Sequence, residues 1–156
     1  MINKRLRMPS SLLLLGLVLL LSACGTNSAN GKDDAASSPP AEGKVVTTAK
    51  GKYTDITPDQ FKVMLESKDF YHVDVHVPNE GKLPQIDARI PFDQITQNLD
   101  QLPSDKSAKI VLTCRSDRMS GEASAALADL GYTNVYNLDG GFNAWKDKGY
   151  PFTPEP

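Results

Sequence analysis

The segment Thr113-Cys114-Arg115-Ser116-Asp117-Arg118-Met119-Ser120 holds the residue types best able to do chemistry. Before it, Ile110-Val111-Leu112-Thr113 is a continuous apolar and β-branched run, which suits a strand buried on both faces of a parallel sheet. After it, a helix is predicted from about Ser120 to Leu130, with Ala123, Ala126, Leu127 and Leu130 as its apolar stripe and Gly131 as its stop. A cysteine at such a junction faces unpaired backbone N–H groups and the positive end of a helix dipole. Both favour the thiolate, which is the nucleophilic form. Arg115 and Arg118 add positive charge, either around the sulfur or at the rim where an anionic substrate arrives. Attack on electrophilic sulfur follows naturally, and the same N–H groups are suited to hold the resulting persulfide anion.

The elements that must position this loop read as an alternation of helices and strands. Thr57-Pro58-Asp59-Gln60 is a helix start, with Thr57 as N-cap, Pro58 at the first position and Gln60 completing a capping box. Phe61, Met64 and Leu65 give that helix its apolar face. Tyr71-His72-Val73-Asp74-Val75-His76 alternates with period two, as a strand does. A loop rich in Pro and Gly runs from Val77 to about Arg89, and a helix is predicted over Phe92 to Leu102, stopped by Pro103. Asn134 to Leu138 reads as a strand and Phe142 to Lys148 as a last short helix closed by Gly149. The expected fold is α/β, with a mainly parallel central sheet flanked by helices on both faces. Ligands in such sheets sit beyond the C-terminal strand ends, where Cys114 falls.

Four elements in order resemble the rhodanese-like sulfurtransferases over roughly residues 53–152. Val73-Asp74-Val75-His76 resembles the family's Asp-Val-Arg strand end, and Ile90-Pro91-Phe92 its Ile-Pro segment. The loop from Cys114 to Ser120 is similar to an active loop often written Cys-Arg-Ser-Gly-Arg-Met-Ser. Leu138-Asp139-Gly140-Gly141, followed by Ala144-Trp145, matches the closing motif. The resemblance implies a rhodanese-like fold and a catalytic Cys114 that takes sulfane sulfur from thiosulfate or a persulfide and passes it to a thiol or cyanide. It implies substrate binding by Arg115, Ser116, Asp117, Arg118, Met119 and Ser120, with Asp74, Gly140 and Gly141 as structural support. No metal or other cofactor is expected. A related phosphatase type has an arginine six residues beyond its cysteine, where this chain has Ser120. Two departures stand out. Asp117 replaces the loop glycine, and its carboxylate is expected to stand in the anion cradle, raise the thiol pKa and weaken thiosulfate as a donor. His76 replaces the strand-end arginine and is expected to lose some of its polar contacts.

The N-terminus reads as a targeting segment. Lys4, Arg5 and Arg7 precede an apolar run from Leu12 to Leu21 that is too short to span a bilayer as a helix. Leu21-Ser22-Ala23-Cys24 resembles the lipobox of bacterial lipoproteins, which implies cleavage before Cys24 and lipid on its sulfur. The expected organisation is therefore a signal peptide at 1–23, a lipidated flexible tether at 24–50 and the domain at 51–156. The protein is expected in the cell envelope, lipid-anchored to a membrane and facing the extracytoplasmic side. With Cys24 so occupied, Cys114 has no partner within the chain, which holds two cysteines. The first 23 residues carry three basic groups and no acid, so a net charge of -2 overall leaves -5 on the remainder. An acidic domain without a basic stripe argues against nucleic acid as a partner. The expected partners are a small sulfur-containing anion or persulfide donor, a thiol acceptor, and the membrane through Cys24. A second reading keeps the fold as a binding module for another envelope protein.

Overall fold

The computed structural model describes residues 42–155. The segment expected to be a signal peptide, Cys24 and the part of the expected tether before residue 42 lie outside the described residues. The described chain forms β1 (Lys44–Thr47), β2 (Lys52–Ile56), α1 (Pro58–Glu66), β3 (Tyr71–Asp74), β4 (Gly81–Lys82), β5 (Ala88–Arg89), β6 (Ile110–Thr113), α2 (Arg118–Asp129), β7 (Val135–Leu138), α3 (Gly141–Asp147) and β8 (Thr153–Pro154).

The main sheet has the order β1-β2-β7-β6-β3-β5. All pairings from β2 to β5 are parallel, and β1 closes one edge antiparallel. Every residue of β6 is buried, as its uninterrupted Ile-Val-Leu-Thr run requires of a strand covered on both faces. Side chains alternate between two layers. Val73, Ile110, Leu112 and Val135 pack with Ala123 and Leu127 of α2 and with Ile95 and Leu102. Ile56, Val111 and Leu138 pack on the other face with Phe61 of α1 and with Phe142 and Trp145 of α3. The α/β architecture expected from the alternation is thus the one observed.

Local signals at the helix ends held well. The Thr57 hydroxyl accepts from the Gln60 N–H at 3.3 Å and the Gln60 side chain accepts from the Thr57 N–H at 2.8 Å, a reciprocal capping box. Gly131 ends α2 with φ +89°, a conformation that costs glycine little.

Three expectations are corrected. The domain does not begin at residue 51: Val45, Val46 and Thr47 are good strand formers, and β1 pairs in register from Lys44↔Asp55 to Thr47↔Lys52. The region Phe92 to Leu102 is two 3₁₀ helices, Phe92–Gln97 and Leu99–Gln101. Asn98 explains the break, because its side chain donates to the Gln94 carbonyl at 2.9 Å and competes with the helical ladder. Ile95 and Leu102 still reach the core expected of them. Finally, the 77–89 loop contains β4 and β5, each of two residues and too short to show a period.

Candidate active site

Cys114 follows the last residue of β6, between the C-terminal ends of β3 and β7, and is 1% exposed. Its Sγ receives a hydrogen bond from the Ser120 hydroxyl at 3.2 Å, and the same hydroxyl lies 3.0 Å from the Asp117 carbonyl. One proton serves both acceptors, so an ionised sulfur competes with the carbonyl for it. The hydrogen bond that reaches the sulfur therefore comes from a side chain rather than from the loop N–H groups expected from the sequence. Those N–H groups, at the first turn of α2, have no carbonyl partner within the helix and remain suited to an anion.

The β7–α3 turn holds the loop from behind. Phe142 N–H donates to the Cys114 carbonyl at 2.9 Å, and Asn143 N–H to the Arg115 carbonyl at 3.0 Å. This approach needs Gly141: a Cβ there would lie 2.2 Å from the Cys114 carbonyl oxygen. Gly141 is thus brought against the loop, while Gly140 takes φ +70° at the start of α3. Asp74 is buried at the end of β3, where its carboxylate accepts from the His76 N–H at 3.0 Å and lies 3.8 Å from Arg89 Nε. Burial pushes its carboxyl up, against the His76 hydrogen bond and the Arg89 charge. It shapes the strand end through these contacts.

Other loop residues depart from expectation. Asp117 adopts a positive φ, +88°, and its carboxylate accepts from Asn137 Nδ2 at 2.5 Å. The same Nδ2 donates to Asp55 at 2.8 Å, so one amide bridges two acids. Burial raises the Asp117 carboxyl pKa, with further upward pushes from Asp55 and Asp139. Neither arginine neutralises Asp117: Arg115 pairs with Glu80 and Arg118 with Glu122, each at 2.8 Å. Both arginines and Ser116 are exposed at the rim, whereas Met119 packs against the core layer of α2. Sequence reasoning missed Asn137 and Glu80. Asn137 had a signal, a polar residue within a buried strand; Glu80, in an irregular loop, had none.

His72 is fully buried between Thr113 and the Pro84 carbonyl. Desolvation lowers its pKa to about 4, so it is neutral at pH 7, with Nδ1 donating to the carbonyl and Nε2 accepting from Thr113. His76 lies against Phe142, with Nε2 3.5 Å from Glu80. A hollow of about 410 Å³ lined by Val45, Thr54, Met64 and Tyr136 contains none of the Cys114 loop residues and no thiol. Among the described residues, no group of three or more His, Cys, Asp or Glu could hold a metal ion.

Residues 57–148 match the model of the Rhodanese-like domain. The chain belongs to the rhodanese-like domain family. A sulfurtransferase of Allochromatium vinosum is 33% identical over 91 residues, which cover 56% of this chain and 82% of that protein. The thiosulfate sulfurtransferase GlpE of Ectopseudomonas mendocina is 30% identical over 95 residues, covering 61% of this chain and 86% of that protein. Among solved structures, a rhodanese-like domain protein from Staphylococcus aureus superposes with a TM-score of 0.52 at 30% identity, covering 62% of this chain and 95% of that one. Within this rhodanese-like domain the Cys114 loop occupies the C-terminal edge of the central parallel strands. Sulfurtransferase relatives are therefore the functional context at family level.

Proposed function

We propose that the protein is an extracytoplasmic sulfurtransferase, held to a membrane through lipid on Cys24, that carries sulfane sulfur as a persulfide on Cys114. The observation that carries the reading is the placement of that single described thiol, directly after β6 and with the Ser120 hydroxyl on its sulfur. In the first half-reaction the Cys114 thiolate attacks the outer sulfur of thiosulfate or the terminal sulfur of a small persulfide. An Sγ–S bond forms, the donor's S–S bond breaks, and sulfite or a thiolate leaves with the electron pair. In the second, an acceptor thiolate or cyanide attacks the terminal sulfur and the Cys114 thiolate departs, so no external reductant is consumed. The first-turn N–H groups of α2 and the Ser120 hydroxyl are the donors available to the persulfide anion.

The test is the intact mass of the mature chain after incubation with thiosulfate or glutathione persulfide. A gain of one sulfur atom, removed by cyanide and absent in Cys114→Ser, is the expected result. No gain with either donor while the thiol still titrates would discard sulfur carriage for these donors and favour a binding module. The anchor is tested separately: fatty-acid labelling should be lost in Cys24→Ser.

A further inference from the structure

The rim of the Cys114 site bears on which donors reach it. We propose, resting on the sulfur-transfer reading, that Glu80 sets donor specificity: by claiming Arg115 it turns the entrance toward donors of little net charge, such as zwitterionic persulfides, and against small dianions such as thiosulfate.

Both loop arginines are committed to carboxylates, but the two pairs are built differently. Arg118 and Glu122 lie one turn apart on α2, each more than half exposed, whereas Arg115 is 52% and Glu80 36% exposed, so the difference between the pairs lies in what holds the carboxylate. Glu80 belongs to a loop stitched in place. Glu155 N–H donates to the Glu80 carbonyl, Gly81 N–H donates to Asn79 Oδ1 at 3.2 Å, and β4 pairs with β8 immediately afterwards. Its Oε1 is shared, 2.8 Å from Arg115 Nη1 and 3.5 Å from His76 Nε2. The His76 side chain is only 5% exposed, neither ring nitrogen has a hydrogen-bond partner among the described residues, and Glu80 and Asp74 are acidic neighbours of the ring. Desolvation pushes the Glu80 carboxyl up, but His76 and Arg115 together outweigh it and hold the group below its ordinary range. A negative charge is therefore fixed beside the residue that follows the nucleophile. Its repulsion scales with the charge of the incoming donor, so a dianion meets twice the penalty of a monoanion and a zwitterion very little.

The mature chain is assayed with thiosulfate and with cysteamine persulfide, whose ammonium and perthiolate balance. Cyanide is the acceptor, and Glu80→Gln, Glu80→Asp and Arg115→Gln stand beside the parent. In parallel, Cys114 is alkylated with iodoacetate and iodoacetamide, in which the thiolate forms an S–C bond and iodide leaves; this needs no sulfur transfer. Glu80→Gln should raise the iodoacetate-to-iodoacetamide rate ratio about 3-fold and lower the thiosulfate KM about 10-fold, with kcat and the cysteamine persulfide KM little changed. Both effects should shrink in high salt. Glu80→Asp should stay near the parent, and Arg115→Gln should shift the ratio in the opposite direction. An unchanged alkylation ratio in Glu80→Gln, or an equal fall in KM for both donors, would overturn the proposal. A shifted ratio in a protein that accepts sulfur from neither donor would support the charge gate while discarding sulfur transfer.

Discussion

At the scale of single residues, Asp117 and Asn137 act together. A non-glycine residue at φ +88° is strained by roughly 1–3 kcal/mol, and the bond to Asn137 Nδ2 offsets part of that. Asn137→Ala should destabilise the protein by about 1–3 kcal/mol, because it leaves the carboxylates of Asp55 and Asp117 without their shared donor. In an Asp117→Gly background the cost should be clearly smaller, since the strained residue is gone. A double-mutant cycle by urea unfolding checks this, and equal costs in both backgrounds would show that the pair is not coupled. Gly141 gives a sharper case. Gly141→Ala should cost about 2–4 kcal/mol and displace the Cys114 carbonyl, which a Cβ would meet at 2.2 Å. Sulfur loading of the variant, read by mass after correcting for the folded fraction, should fall with it. The glycine pair was legible from its motif. The destination of the Asp117 carboxylate was not, because it depends on a residue 20 positions away that the sheet brings alongside.

At the scale of elements, β3 carries a pH dependence. His72 stays neutral in the fold down to about pH 4, while an unfolded histidine takes up its proton near 6.5. The unfolded chain binds more protons between those values, so stability is full above the upper one and falls as pH drops toward the lower. The whole shift corresponds to about 3 kcal/mol. Between pH 7 and pH 5, unfolding of the parent should lose about 2 kcal/mol more than that of His72→Gln. Identical pH dependence in the two would show that His72 is not buried neutral. Elements with strong local signals were readable in advance: the capped start of α1, the apolar run of β6 and the glycine end of α2 each carry their own instructions. The 3₁₀ segment was not, since its apolar spacing serves either helix type and a competing Asn98 side chain decides between them.

At the scale of the whole molecule, the sheet needs its edge strand. β1 covers β2 with antiparallel ladder bonds, and just beyond it the Thr48 hydroxyl and Lys50 N–H both donate to Asp129 at the end of α2. A chain starting at Lys52 should be less stable by about 1–3 kcal/mol and carry an open strand edge prone to association. An unchanged urea midpoint would show that β1 is dispensable. That strand falls within the expected tether at 24–50, because composition alone does not reveal that β2 offers a vacant ladder.

The direction of β1 has a geometric consequence. Because it runs against β2, its first residue, Lys44, pairs with Asp55 near the C-terminal end of β2. Lys44 is close enough to Asp117 for its charge to pull that carboxyl down. The polypeptide therefore enters the domain on the same rim as the thiol. Eighteen residue steps separate Cys24 from Glu42, at most about 60 Å of fully extended chain. A domain moored by lipid at Cys24 would thus be leashed by its reactive end, with its working distance set from the bilayer surface and its natural clients among molecules at that surface rather than far from it.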